Sequence, residues 1–194
     1  VAQILTPDFY NRPVLQVARE LVGKRLVRQL DGQRLGGLVL ETEAYRGEDD
    51  LACHARAGRT PRTEVMYGPP GRAYVYFNYG MYWMLNCVCE IEGYPAAVLI
   101  RAIQPVEGLE TIAVRRAGRK LKDWTSGPGR LCLALGVDKT LNRCDLTSEQ
   151  SGLWVEDEAP VPDTQVLCTP RIGIDSVPEP WKSQPWRFVV QGSL

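Results

Sequence analysis

The chain of 194 residues sets 23 Lys and Arg against 23 Asp and Glu, with one His and six Cys, and is 44% hydrophobic and 24% charged. That length suits one domain spanning residues 1–194, able to withdraw roughly 70% of its extended-chain surface from water. The apolar runs are too short for a bilayer and the N-terminus lacks a basic-then-apolar leader, so a membrane protein, a secreted disulfide scaffold and a disordered chain fit poorly, and the expected location is cytoplasmic.

Asn11 is a good N-cap with Pro13 in the first turn, and Val14, Val17, Ala18, Leu21 and Val22 follow at helical spacing until Gly23 stops the helix. A hairpin comes next, from Lys24 to Leu30, through a turn at Asp31-Gly32, into a long strand from about Arg34 to Tyr45. A second hairpin has arms near 73–78 and 81–90 with Asn78-Tyr79-Gly80 at its tip, and Ala96 to Ile103 reads as another strand. Helices are expected over about 105–117 and 129–135. The second follows Ser126-Gly127-Pro128-Gly129, whose free N–H groups could face a phosphate, although the Lys-Ser/Thr ending of a Walker loop is missing. Short strands near 153–157, 165–172 and 187–191 close the chain. Hairpins outnumber strand–helix–strand units, so the expected class is a mixed, mainly antiparallel α/β (α+β) domain rather than a Rossmann fold.

The cysteines, at 53, 87, 89, 132, 144 and 168, contain no Cys-x-x-Cys pair, and His54 is the only histidine. A zinc site normally uses closely paired ligands, so the expectation is buried thiols and no metal. The balanced charge is unevenly spread. Residues 101–130 hold seven basic side chains against Glu107, Glu110 and Asp123, whereas 143–163 hold Arg143 against six acids. Such polarity can attract a polyanion, and two solvated loops would show the same counts.

The strand Leu38-Val39-Leu40-Glu41-Thr42-Glu43-Ala44-Tyr45 alternates, placing Leu38, Leu40, Thr42 and Ala44 on one face and Glu41, Glu43 and Tyr45 on the other. Glu43 could hold a water beside a Tyr45 ring that stacks on a flat ligand; an exposed acidic strand face explains the pattern equally. Tyr74, Tyr76 and Asn78 share a face of the second hairpin, and Tyr79, Met81, Tyr82 and Trp83 crowd its tip. A core hairpin also carries aromatics, but Tyr79 between Asn and Gly belongs at an exposed turn, where it could act as a wedge in a base stack. His54 leads into Arg56, Arg59, Arg62 and Arg72, a grouping that suits phosphate contact or plain solvation. A flat aromatic ligand, a polyanionic backbone and a water-directing carboxylate together are what an enzyme that extrudes a nucleobase needs. A non-catalytic module using the same tyrosines as a stacking platform, a nucleoside hydrolase, and a structural α/β domain whose hairpin aromatics are all core are the competing readings.

Glu41-Thr42-Glu43-Ala44-Tyr45, His54, Tyr74-Val75-Tyr76 and Tyr79-Gly80-Met81-Tyr82 with Asn86 resemble alkyladenine (3-methyladenine) DNA glycosylases, and the likeness runs from Pro7-Asp8-Phe9-Tyr10 past Ser126-Gly127-Pro128 to Arg187-Phe188. The resemblance implies a single domain on a curved antiparallel sheet, without a helix–hairpin–helix. It implies Glu43 as the base that activates water, Arg101 as the arginine that helps hold it, and the Ile172 carbonyl as part of the water site. Tyr45, His54 and Tyr76 would sandwich the flipped base, Asn86 would discriminate against the amino group of guanine, Tyr79 would intercalate, and Met81 and Tyr82 would support it beside the DNA. The implied partner is duplex DNA containing damaged purines, bound by a monomer without cofactor. No lysine matches a Schiff-base position, so the expected product is an abasic site left by a monofunctional enzyme.

Overall fold

The computed structural model describes residues 2–78 and 80–193. Among them are strands β1 (Arg25–Leu30), β2 (Gln33–Arg46), β3 (Ala73–Asn78), β4 (Tyr82–Val88), β5 (Ala96–Glu107), β6 (Leu153–Glu156), β7 (Val166–Thr169) and β8 (Arg187–Val190). The α-helices are α1 (Pro7–Tyr10), α2 (Val14–Leu21), α3 (Leu109–Arg115) and α4 (Pro128–Leu135). The strands run in the order β3-β4-β5-β2-β1-β6, β8 pairs with both β2 and β7, and every ladder is antiparallel. The result is the mixed, mainly antiparallel class that the hairpins predict.

The apolar stripe of α2 lies on β2, where the Thr42 hydroxyl donates to the Ala18 carbonyl at 2.7 Å, and α4 covers β4 and β5. Leu21, Leu26, Leu35, Leu85, Ile100, Leu131 and Leu135 are fully enclosed between these layers, each contributing roughly 1.5–3 kcal/mol of burial. This clamped centre makes β2 and β5 a stiff platform for the side chains at their ends.

Several local expectations shift. Asn11 closes α1, its N–H bonded to the Pro7 carbonyl, so α2 starts three residues later with Pro13 at its cap and the Val14 N–H held by Glu90 at 3.0 Å. Glu90 lies 76 residues away in sequence from Val14, so no local signal announces this cap. The helix expected from 105 gives way to strand as far as Glu107, because Pro105 and Glu107 still pair with Gly37 and Gly36; Gly108, at φ 67°, makes the break. Four cysteines are buried, Cys144 is half-buried and Cys168 is exposed.

The alternation of β2 also fails midway. Its register against β5 slips at Val39/Glu41 and again at Glu41/Thr42, and a bulge of this kind reverses which face the following residues point to. The core therefore takes Leu35 and Val39 before the bulge and Thr42 and Ala44 after it, leaving Leu38 and Leu40 only half-buried. Glu41, Glu43 and Tyr45 still share the opposite face. The acidic stretch at 143–163 is largely neutralised at home: Asp145 pairs with Arg72, Glu156 with Arg34, Asp157 with Lys24, Glu158 with Arg25 and Asp163 with Arg19.

Candidate active site

Glu43 sits near the end of β2 with its side chain wholly enclosed. Its Oε1 accepts the Ile172 N–H at 2.7 Å and its Oε2 accepts the Tyr45 hydroxyl at 2.8 Å. Arg101 on β5 approaches both oxygens at 3.4 Å and bonds Glu41 more closely, at 2.7 Å, while Arg187 bonds the same Glu41 oxygen from the other side at 2.5 Å. Burial raises the Glu43 carboxyl above its ordinary value; Arg101, the Ile172 N–H and the Tyr45 hydroxyl pull the other way. Desolvation and directed donors therefore act on this carboxylate in opposite directions. The Ile172 N–H thus anchors Glu43, while the resemblance implies a role in the water site for the carbonyl of the same residue.

Beside this carboxylate lies a cavity of about 150 Å³, lined by Tyr45, His54, Tyr76, Asn86, Arg101 and Ile172 among others. A space of that order holds one small aromatic molecule. The His54 and Tyr76 rings meet edge to face at 4.5 Å, and Tyr74 lies 5.1 Å from Tyr76. His54 Nδ1 is 3.0 Å from the Tyr74 hydroxyl, and burial, with Arg62 and Arg56 nearby, lowers its pKa to about 4, so the imidazole is neutral at physiological pH. Asn86 donates Nδ2 to the Tyr74 carbonyl at 3.1 Å, which fixes the side chain on the cavity wall. Tyr45, His54, Tyr76 and Asn86, expected around a base, and Arg101 and Ile172, expected at the water, therefore line one cavity, reaching it from β2, β3, β4, β5, a 3₁₀ turn at His54–Ala57 and the segment after β7.

A second hollow adjoins the cavity, lined by Tyr82, Met84, Arg101, Pro128, Gly129, Arg130 and Ile172. Gly129 is required here: a Cβ would stand 2.5 Å from Cγ of Tyr82. On the far side of Tyr82, Arg116, Arg119 and Arg130 line a further hollow with Asp123 opposing them, so part of the basic stretch at 101–130 is concentrated beside the tip of the second hairpin. Met81 is 64% exposed at the hairpin turn, and Tyr79 lies outside the described residues. Of the loop arginines, Arg62 sits with its guanidinium 5.1 Å from the Tyr76 ring; Arg59 pairs with Glu64, Arg72 with Asp145, and Arg56 donates to the Leu51 carbonyl.

Sequence reading overlooked Asp50 and Arg171. Their buried ion pair lies against the Tyr45 ring, and 121 residues separate them, so spacing carries no hint of it. Alternation groups Tyr74 with Tyr76, but its bond to His54 joins residues 20 apart in sequence and depends on the loop between them. Chemically, the arrangement offers a cavity lined by tyrosine rings and a neutral imidazole, with an enclosed carboxylate held by Tyr45, Arg101 and Ile172 of its wall.

A family model described as methylpurine-DNA glycosylase (MPG) matches residues 8–194. A protein of Methanocella arvoryzae is 49% identical over 98% of this chain and 94% of its own length, and one of Myxococcus xanthus is 49% identical over 97% and 91%. A Bacillus cereus protein is 43% identical over 96% of this chain and 95% of its own. All three carry the name "Putative 3-methyladenine DNA glycosylase".

Proposed function

The chain belongs to the methylpurine-DNA glycosylase family, and from that premise we propose that it flips a damaged purine out of duplex DNA into the aromatic cavity and hydrolyses the N-glycosidic bond with a water activated by Glu43. The observation that carries this reading is the enclosed Glu43 carboxylate, held by Tyr45, Arg101 and Ile172, three residues that themselves line the cavity. A base stacked there brings its sugar to the same wall.

In the reaction the water oxygen bonds to C1′ as the C1′–N bond breaks, the electron pair leaves with the base, and the water proton passes to Glu43. An abasic site and a free base remain. The sugar becomes oxocarbenium-like on the way, so the carboxylate also stabilises developing positive charge. For the water to reach Oε2, the Tyr45 hydroxyl must release it or share it. Purines alkylated on a ring nitrogen already carry the positive charge that makes them leave, and neutral aromatic walls attract it. Lesions that pair weakly cost less to unstack, which adds selectivity. Arg116, Arg119 and Arg130 beside Tyr82 suit the phosphates flanking the lesion. Asn86 on the cavity wall discriminates by its bulk against the exocyclic amino group of normal guanine, and the enzyme acts as a monomer.

The test is a single-turnover reaction on labelled duplexes carrying one methylated purine, hypoxanthine or ethenoadenine, with and without alkali. The expected product is a released base and a strand that breaks only after alkali. Binding to the duplex with no alkali-labile product from any lesion would replace this reading with that of a non-catalytic stacking module; strand breakage without alkali would refute the monofunctional mechanism.

A further inference from the structure

Building on the glycosylase reading, we propose that Arg171 and Asp50 are positioning residues for the reaction: their buried ion pair fixes the plane of the Tyr45 ring and holds the Ile172 N–H on the Glu43 carboxylate.

The pair is bidentate, with Arg171 Nη1 and Nη2 at 2.6 and 2.9 Å from the two Asp50 oxygens, and neither side chain touches solvent. The same guanidinium donates to the Ala44 carbonyl at 3.0 Å and to the Trp181 carbonyl at 3.3 Å. Its carbon lies 4.7 Å from the centre of the Tyr45 ring and 4.9 Å from that of Trp186. Asp50 in turn accepts the Arg46 N–H at 3.3 Å and the Ala52 N–H at 3.0 Å, and its carbonyl accepts the Cys53 N–H at 2.8 Å. One planar group therefore ties together the end of β2, the loop that presents His54, the segment carrying Ile172 and the Trp181–Trp186 stretch.

The consequence falls on the chemistry. Ile172 follows Arg171 directly, so its N–H can meet Glu43 at 2.7 Å only while Arg171 stays anchored. Tyr45 both walls the cavity and donates to Glu43, so the tilt of its ring sets two contacts at once. A lysine would take this role only in part, since a point charge keeps the attraction to Asp50 but lacks the fork that meets a carboxylate and a carbonyl in one plane while stacking on a ring. A buried ion pair is in itself weak evidence for stability; what distinguishes this one is the number of site segments that it joins.

The test compares wild type with Arg171→Lys, Arg171→Met and Asp50→Asn in the full chain. The first readout, independent of activity, is amide exchange at Ile172 by NMR, referenced to the Thr42 and Ile100 amides of the β2–β5 ladder. Loss of a bond to a charged acceptor should speed Ile172 exchange about tenfold or more, with the ladder amides unchanged. The second is single-turnover excision across pH. The rate should fall about 10- to 100-fold, the order expected for misplaced reacting groups, with lesion-duplex affinity near wild type and Lys intermediate between Arg and Met. The acid limb should move to higher pH, because Glu43 loses one donor while Arg101 on β5, Tyr45 and Glu41 on β2, and Arg187 behind Glu41 remain. Unchanged Ile172 exchange in Arg171→Met, or exchange that rises equally throughout the ladder, would overturn the positioning role. An inactive wild type would instead overturn the glycosylase reading, and the exchange result would still decide whether the pair anchors Ile172.

Discussion

Replacing Glu43 by Gln removes one charge and almost no volume, which makes it the sharpest probe of the proposed chemistry. The surroundings dictate how the amide sits. Its NH2 cannot face the Ile172 N–H at 2.7 Å, donor against donor, so the oxygen keeps that place and the nitrogen turns to the Tyr45 hydroxyl, which can rotate to accept. Arg101 keeps its 2.7 Å bond to Glu41, so the β2–β5 platform persists. What vanishes is the group that takes the proton from water. A positioned base contributes about 10²- to 10⁴-fold, equivalent to roughly 3–5 kcal/mol of barrier at 1.36 kcal/mol per tenfold. The assay is single-turnover excision at saturating enzyme, scored by alkali cleavage, beside a binding titration on the same duplex. The variant should bind the lesion duplex as wild type does and lose turnover by that factor. Excision within threefold of wild type would refute Glu43 as the base, whatever the enzyme class.

Three further outcomes follow from the same geometry. Burial raises the Glu43 pKa and the Tyr45 hydroxyl lowers it, so activity that needs the carboxylate declines as pH falls through the raised value. Tyr45→Phe should move that acid limb to higher pH while keeping the stacking ring; a limb that stays or moves lower contradicts the assignment. Gly129→Ala places a methyl 2.5 Å from Cγ of Tyr82, and overpacking of this kind costs about 1–3 kcal/mol, to be read from a denaturant midpoint together with weakened duplex binding. Arg119→Ala should reduce the slope of log affinity against log salt by about one, equally for lesion and undamaged duplexes; an effect confined to lesion duplexes would place Arg119 in base recognition instead.

What was legible from residues alone was local. Strand periodicity sets Glu41, Glu43 and Tyr45 on one face, and they share it in the fold; the same rule groups Tyr74 with Tyr76. The hairpins and the Gly-Pro lead-in to α4 follow from turn chemistry within a few residues. Where the same rule ran through a bulge it failed, because the slip between Val39 and Thr42 arises from pairing with β5 and leaves no mark on β2 itself.

Everything that turns the strand face into a site is non-local. Arg101 reaches Glu43 across 58 residues, the Ile172 N–H across 129, and Arg171 reaches Asp50 across 121. Charge counts at 143–163 carry no sign of the pairing for the same reason, since five of its acids find basic partners elsewhere in the chain. The amino-acid sequence by itself determined which side chains stand next to one another on a strand or hairpin, because covalent spacing and backbone periodicity decide that. Only the tertiary structure decided which carboxylate is enclosed and which arginine is locked behind Tyr45, because burial and ion pairing depend on elements that meet only when the sheet closes on its helices.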